Sequence, residues 1–413
     1  MGAPGRPFGG TSSRTADDLG RRTAAGSATP AIVVSCYTMG LGVVRSLGER
    51  GVRSVAVQFD KRDIAQRSRY VREVHRVPRP DVHEEDFVAA LASIGARHPG
   101  ALLVPAHDAA VVAIARHRRR LEETMVVACP EWDVAQLYID KRETYRVAAS
   151  AGLPTPKTLT PRSREEAERA LDEIGAPALV KPSQSHLFVS AFGRKMLEAT
   201  SPAEVRAAYE LAEGAGLEVM VQEIIPGPDS AGVNYNAYTV AGRPVAEFTA
   251  RKVRNSPSRW GSPRVAVSER VDEVVEPGRR LLAAIGYEGF SCTEWKQDER
   301  DGVFKLMEVN GRHNLSSMLA VRCGIDFPWI EYRHRVHGVL PDRIDRFEEG
   351  RYWIDLVRDL GTSWTERNTE AYGLADYLRP YRGPRAYAHW SARDPVPMAA
   401  RLWDAARRGR RAG

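Results

Sequence analysis

The chain has 413 residues, 43% of them hydrophobic, which is enough apolar material for two or three domains with real cores. No run approaches the ~18 apolar residues of a membrane-spanning helix, and four cysteines at 36, 129, 292 and 323 form neither a CxxC zinc spacing nor a disulfide framework, which fits a reduced cytoplasm. Of the formal net charge of +7, residues 1–29 hold +2 (four Arg, two Asp) and residues 401–413 hold +4 (five Arg, one Asp), so the body carries only +1 and a nucleic-acid partner is not expected.

Residues 1–29, rich in Gly, Ser, Thr, Ala and Arg, read as a disordered leader, because that composition cannot bury enough apolar surface to offset chain entropy. "AIVVSC" (31–36) is a short strand, followed by helical periodicity that ends at Gly51. "VRSVAVQFD" (52–60) and "ALLVPAHD" (101–108) are further strands, with a helix between them and one after. Strands alternating with helices predict a parallel α/β domain. Gly40 and Gly42 after the first strand, with Asp60 closing the second, resemble part of a dinucleotide fingerprint, but the third glycine slot holds Arg45. Three readings stay open there: dinucleotide binding, an anionic group such as a substrate carboxylate at a helix N-terminus, or tight packing.

"GLPTPKTLTPRS" (152–163) marks a boundary. Beyond it "PALVKPS" (177–183) and "LEVMVQEIIPG" (217–227) read as strands, while 234–254 and 287–310 read as hairpins around Ala241-Gly242 and around 297–302. Three helical segments separate them, an α+β pattern with antiparallel strands. Residues 341–413 are aromatic-rich and irregular.

Chemistry enters with "KLMEVNGRHNLSS" (305–317). Glu308, Asn310 and Arg312 alternate along the end of a strand and so project from one face. Asn310-Gly311 is also a strong turn signal, and a solvated turn is the plainer alternative. Glu294 lies fourteen residues before Glu308, so a hairpin turn of odd length sets both carboxylates on one face, with Asn310 beside them. Two carboxylates and an amide oxygen are hard ligands for Mg²⁺, which takes few protein oxygens plus substrate phosphates.

Lysine usage points the same way. Only 8 of 60 basic residues are Lys, and seven of them (141, 157, 181, 195, 252, 296, 305) fall between 141 and 305. An ammonium is a compact point charge suited to one phosphate oxygen in a tight site. Lys181 closes "PALVKP", and Lys252 and Arg254 share a face of "TARKVR". Such cations suit a Mg²⁺-bridged polyphosphate, since phosphoryl transfer is catalysed mainly by positioning and charge. No P-loop, protein-kinase set or GxSxG elbow is present.

Taken in order and spacing, "DKRETYRVAASAGLPTPKTL", "PALVKPS", "VMVQEIIPG", "AEFTARKVR", "GFSCTEWKQD" and "FKLMEVNGR" resemble the ATP-grasp superfamily, and within it the carboxylate–amine ligase branch that contains D-aspartate ligase. The resemblance covers roughly 30–340. It implies a Rossmann-like α/β pre-ATP-grasp domain over 30–135, then an α+β ATP-grasp fold with antiparallel sheets over 136–340. The nucleotide cleft lies between 141–227 and 228–340, and 341–413 is a C-terminal extension with a basic tail. Position by position, Lys141 and Lys181 contact ATP phosphates, Lys181 also lying near the adenine. Glu223 and Ile225 meet the adenine, and Asp229 falls where the family often has an acid for the ribose. Lys252 and Arg254 hold the transferred phosphoryl group or acyl phosphate. Glu294, Glu308 and Asn310 match the metal ligands, and Arg312 faces phosphate or substrate. The sequence departs from the family in two places. The usual glycine-rich phosphate lid is "PSQSHLFVSAFGRK" (182–195), so Ser183, Ser185 and backbone amides would cover the phosphates. Gly311 replaces the usual proline, which loosens the strand exit.

The function implied is an ATP-dependent, ADP-forming ligase. It activates a carboxylate as an acyl phosphate and joins it to an amine, using ATP and Mg²⁺, or Mn²⁺ in its place. Its partners are a small-molecule acid and amine of the amino-acid or peptide class, with no nucleic acid and no membrane; a homo-oligomer is compatible with it. The alternatives are a thiol or hydroxyl acceptor, or a catalytically silent ATP-binding protein. Substrate choice is expected to lie in 36–45, 105–108, 312–318 and the C-terminal extension.

Overall fold

The computed structural model describes residues 29–412 apart from 36, 61–62, 260 and 367–371; the leader (but for Thr29) and Cys36 therefore lie outside the described residues. Short strands build a first sheet from β1 (Ala31–Val34), β2 (Ser54–Gln58), β3 (Val71–Arg76), β4 (Leu102–Pro105) and β5 (Val126–Val127); β1, β2 and β4 are buried, and the edge strand β3 is half-exposed. Every pairing is parallel and the order is β3-β2-β1-β4-β5. Parallel neighbours need crossover connections, supplied here by segments that include α1 (Thr38–Glu49), α2 (Glu84–Arg97), α3 (Asp108–Arg116) and α4 (Arg118–Glu122). Ile32 and Val34 join one apolar cluster while Ala31 and Val33 join another, so both faces of β1 are covered. The strand order reverses between β1 and β4, and the carboxyl ends beside such a reversal form a natural crevice.

Helices α5 (Trp132–Ile139) and α6 (Lys141–Ser150) lead into a small antiparallel sheet of β6 (Thr158–Leu159), β7 (Ala178–Pro182), β8 (Leu197–Ala199) and β9 (Val219–Glu223), ordered β6-β9-β7-β8. With α7 (Arg164–Ile174), α8 (Ser185–Phe192) and α9 (Pro202–Glu213) it keeps its own core, around Val180, Phe188, Val205 and Val221.

The third sheet contains β10 (Gly232–Val240), β11 (Arg243–Ser256), β12 (Ser262–Ser268), β13 (Gly289–Gln297), β14 (Phe304–Asn310), β15 (Tyr352–Ile354) and β16 (Arg385–Tyr387). Its order is β14-β13-β10-β11-β12-β15-β16, antiparallel except for the last pair. Ala241 and Gly242 turn the β10–β11 hairpin with φ of 49° and 70°, the two left-handed residues that a tight two-residue turn demands. Around this sheet lie α10 (Val275–Ile285), α11 (Ser317–Arg322) and α12 (Phe327–His337), then α13 (Leu356–Thr365), α14 (Leu374–Arg382) and α15 (Val396–Ala412) of the C-terminal extension. Tyr235, Trp295 and Leu306 of this sheet share one continuous core with Ile32 and Val34 of the first, so the two are packed as one body.

The C-terminal extension, irregular as sequence, is ordered by distant partners. After β16 it crosses to the first domain, where Asp394 accepts from Arg45 Nε at 3.0 Å and Ser68 Oγ at 2.8 Å. His389 Nε2 lies 3.0 Å from Thr38 Oγ1. Arg45, the residue that spoiled the glycine fingerprint, is therefore the anchor for this strap. Gly40 and Gly42 fall inside α1, where added Cβ atoms would lie 2.2 Å from Ser35 O and 2.6 Å from Ser317 Oγ. Tight packing accounts for both glycines.

Candidate active site

One cleft of about 620 Å³ runs between the three sheets. Its first end is built at the carboxyl ends of the parallel strands: Ser35, Tyr37 and Met39 follow β1, Phe59, Asp60 and Asp63 follow β2, and His107 and Asp108 follow β4. Leu179 and Lys181 come from β7 of the small sheet, His186 from α8 and Met196 from just before β8, and Ile225, Lys252, Glu294, Trp295, Met307, Glu308 and Asn310 from the segment leading into the large sheet and from its strands. A volume of this size, walled by apolar side chains with a few converging charges, is typical of a small-molecule site.

The carboxylate pair sits on β13 and β14, where Glu294 stands directly opposite Glu308. The route to that pairing differs from the expected odd turn. The loop between Gln297 and Phe304 holds six residues, and the register then shifts: Trp295 pairs with Leu306 but Glu294 with Glu308, leaving Met307 as the extra residue of a bulge. The bulge turns Met307 and Glu308 both to the cleft, while Leu306 packs in the core beside Trp295. Tyr145 of α6 holds it open, its hydroxyl donating to the Met307 carbonyl at 2.9 Å. Asn310 Nδ2 donates to Glu294 Oε1 at 3.1 Å, and Glu308, Asn310 and Arg312 all line the cleft as their alternation predicts. The Asn310-Gly311 turn is a bend. Gly311 is held by close packing rather than loosened: a Cβ there would lie 2.3 Å from the Tyr138 ring.

Each carboxylate carries a lysine. Lys141 Nζ donates to Glu308 Oε1 at 2.5 Å, and Lys252 Nζ to Glu294 Oε2 at 2.5 Å. Burial pushes the Glu308 carboxyl up, but the Lys141 ammonium overrides it and the net shift is well below the ordinary range. Burial likewise acts to lower Lys141 and Lys252, and the facing carboxylates more than offset it, so both stay protonated. Among the described residues no three His, Cys, Asp or Glu side chains cluster as a metal site. Two carboxylates and an amide, already neutralised by cations, nonetheless form a donor set that fits a hard divalent ion completed by phosphate oxygens.

Lys181 on β7 donates to Gln222 Oε1 of β9 at 2.6 Å, and burial, reinforced by Lys141, lowers it to about 8. Lys195 and Lys296 also line the cleft, giving five of the seven clustered lysines. Lys195 donates to Ser262 Oγ at 3.1 Å. Ile225 lines the cleft, and so does Asp229, whose carboxylate accepts from Asn255 N at 2.8 Å and Arg259 N at 3.0 Å and so holds the 255–259 loop.

Three expectations are corrected. Arg254 does not share the Lys252 face: Lys252 pairs with Ala266 but Arg254 with Val265, so Val253 is an extra residue and Arg254 turns away from the cleft. It forms a bidentate pair with Asp359 of α13, at 2.9 and 2.7 Å, under the ring of Tyr377. Glu223 presents no carboxylate to the cleft; it accepts from Lys157 N at 2.7 Å and Arg300 Nη2 at 2.8 Å. Ser183 is buried behind the wall, where its carbonyl accepts from Lys141 N at 3.0 Å and so sets the start of α6 against β7. In place of a glycine-rich lid stands α8, ended by Gly193 at φ 67°, with His186, Val189 and Ser190 facing the cleft.

Arg312 holds Asp108 bidentately, at 2.6 and 2.9 Å, across 204 positions of sequence. Burial would raise the Asp108 carboxyl, and Arg312 drives it far below its ordinary value instead. His107 beside it is neutral, lowered by burial to about 4, and caps α3 by accepting from Ala109 N. His107 and Asp108 fall in the 105–108 stretch and Arg312 in the 312–318 stretch where substrate choice is expected, but their pairing, and His186 altogether, carry no local sequence signal because the partners lie in another domain.

No family model matches the chain. It is 27% identical over 290 residues to D-aspartate ligase of Enterococcus faecium, covering 65% of this chain and 68% of that protein. It is 30% identical over 207 residues to D-alanine–D-alanine ligase of Pseudomonas putida, covering 46% of this chain and 61% of that protein, so it spans less than two thirds of that relative. Among solved structures it resembles N5-carboxyaminoimidazole synthetase of Staphylococcus aureus complexed with ADP (TM-score 0.64, 13% identity, covering 83% of this chain and 86% of that one). It also resembles the biotin carboxylase domain of Hydrogenobacter thermophilus 2-oxoglutarate carboxylase in complex with MgADP (0.62, 19%, 78% and 73%) and L-amino acid ligase of Bacillus licheniformis (0.57, 15%, 76% and 75%). The parallel sheet, the two antiparallel sheets and the cleft between them give the chain the fold of these solved structures.

Proposed function

We propose that the chain is an ATP-dependent carboxylate–amine ligase working through an acyl phosphate. The observation that carries this reading is the pair of lysine–carboxylate contacts, Lys141 on Glu308 and Lys252 on Glu294, at the centre of a cleft lined by five lysines. In the order proposed, Leu179, Ile225, Trp295 and Met307 wall the adenine end, and Lys181 and Lys141 meet the phosphates. Glu294, Glu308 and Asn310 would hold Mg²⁺, which would supply charge neutralisation at the phosphates. Lys141 and Lys252 exchange their carboxylates for phosphate oxygens as the nucleotide enters, so no charge is stranded in either state. α8 covers the phosphates in place of the glycine-rich lid that the resemblance implies. The domain reading is that 30–135 supplies a Rossmann-like substrate wall and 136–340 the nucleotide site.

The substrate carboxylate oxygen attacks the γ-phosphorus, the bond to the β–γ bridging oxygen breaks, and ADP departs. Lys252 and Arg312 stabilise the charge spreading over the transferred oxygens. An amine then attacks the acyl carbon, phosphate leaves with the C–O bonding pair, and the amine proton passes to solvent or phosphate. The substrates sit at the first-domain end, between Ser35, Tyr37, Asp108 and Arg312, and the acid and amine are of the amino-acid or peptide class. A cytoplasmic setting suits the three buried free cysteines among the described residues, 129, 292 and 323.

The test is ADP release over amino acids of both chiralities offered as acid and amine. ADP and phosphate in step with an amide product is the expected result. AMP as product overturns the acyl-phosphate scheme, and ATP binding without turnover on any pair favours a silent nucleotide-binding protein.

A further inference from the structure

The C-terminal helix α15 has two faces. Met398 is buried, and Pro397, Arg401 and Asp404 follow the same inward side, where the helix packs on α13 and the 65–67 turn. Val396, Ala399, Leu402, Trp403 and Ala406 recur at helical spacing on the opposite side and are exposed, Leu402 to 51% and Trp403 to 63%. An outward helix face is ordinarily polar; this one is apolar for three turns. The Arg407 guanidinium lies 5.3 Å from the centroid of the Trp403 ring. Leu360 and Trp364 of the neighbouring α13 are exposed as well, Trp364 to 73%, and all three exposed tryptophans among the described residues lie in this extension. The last thirteen residues of the sequence carry five Arg and one Asp.

We propose that the outward face of α15 is a docking surface for an anionic lipid bilayer, on which the protein rests without crossing it. Charge selects the occupant. A second copy placed symmetrically on this face would oppose two tails of formal charge +4, and residues 1–28, with four Arg against two Asp, have the same sign. A polyanion such as nucleic acid would satisfy the arginines but leave Leu402 and Trp403 in water. An anionic leaflet takes both: apolar and Trp side chains enter the headgroup boundary while arginines remain among the phosphates. No helix of the described residues is long and apolar enough to span a membrane, which does not bear on lying upon one.

The experiment is co-sedimentation of the full chain with phosphatidylcholine vesicles and with mixed phosphatidylcholine–phosphatidylglycerol vesicles. Binding at least about tenfold stronger to the anionic vesicles is expected, weakening as salt is added. The double variant Leu402→Glu, Trp403→Glu should lose at least about tenfold of that binding, while ADP release with soluble substrates stays unchanged. Quenching of tryptophan emission by brominated lipid on the wild-type chain gives the same reading without a variant. Equal binding of variant and wild type, no preference for anionic vesicles, or no quenching overturns the proposal. A dimer that the double variant dissociates in the absence of vesicles overturns it too, in favour of a second copy.

Discussion

Strands β11 and β14 carry the same kind of residue pattern and end differently. In each, polar side chains sit two apart, Lys252 with Arg254 and Glu308 with Asn310, and in each one extra residue shifts the register. In β14 the bulge at Met307 falls before the functional set, so Glu308, Asn310 and Arg312 keep their common face and Glu308 gains Glu294 as its partner. In β11 the bulge at Val253 falls inside the set, so Lys252 stays in the cleft and Arg254 is carried to the other side. A bulge before a motif re-aims the whole motif; a bulge within it splits the motif.

The largest test of that contrast is Arg254→Ala. Arg254 is buried against a buried Asp359 that Arg264 also approaches, Nε to Oδ1 2.9 Å. Removing one partner leaves carboxylate charge without its bidentate donor, and a loss of about 3 kcal/mol of stability is expected, the low end for a broken buried pair. Urea melts measure it, and ligase activity of the folded fraction should be little changed; a stable but inactive variant would return Arg254 to the cleft. Next in size is Glu308→Gln, expected to lower kcat/KM by about 10²–10³ with the melting transition nearly kept. Full activity in that variant would remove the metal assignment.

The parts of the molecule readable in sequence were those whose causes are local. Buried, mostly apolar runs marked β1, β2, β4 and β7, and Ala241-Gly242 marked a hairpin, because burial and turn geometry act over a few residues. The scarcity of lysine was legible for a chemical reason: five of the seven clustered lysines line the cleft, while Lys305 pairs with Asp298 and Lys157 Nζ donates to the Glu173 carbonyl. β3 was hidden because "VREVHR" is an edge strand with half its side chains exposed. The two bulges were hidden because a register shift is decided by what packs on the strand, Tyr145 at Met307 and Asp359 at Arg254. The strap was hidden because Arg45 and Asp394 are separated by 349 positions. The stretch 105–108 was marked for substrate choice, but the ion pair of Asp108 was hidden in the same way, since Arg312 follows β14, 204 positions on.

Two smaller effects sharpen the comparison. Lys252→Met should mirror Arg254→Ala: kcat falls about tenfold to a hundredfold, while stability changes little, because Glu294 keeps Asn310 and access to water in the cleft. If Lys252→Met instead unfolds the chain, both residues of the "TARKVR" strand are structural and the split at Val253 has no functional meaning.

The last effect is a pH dependence. Burial, then repulsion from Lys141, brings the Lys181 ammonium from its ordinary 10.5 to about 8. Below that value Lys181 offers the phosphates a full charge, and above it a neutral amine. Affinity for ADP measured by calorimetry should therefore fall several-fold as pH rises from about 7 to about 9, and Lys181→Met should bind weakly and without that slope. Stability of the nucleotide-free chain runs the other way. Because the folded value lies below the unfolded one, the native state binds fewer protons between about 8 and 10.5, and this residue's contribution makes the chain more stable as pH rises through that window. Urea melts of wild type and Lys181→Met across the same range separate it from the other lysines. A wild-type slope no steeper than the variant's would mean that Gln222, 2.6 Å away, keeps the ammonium charged throughout.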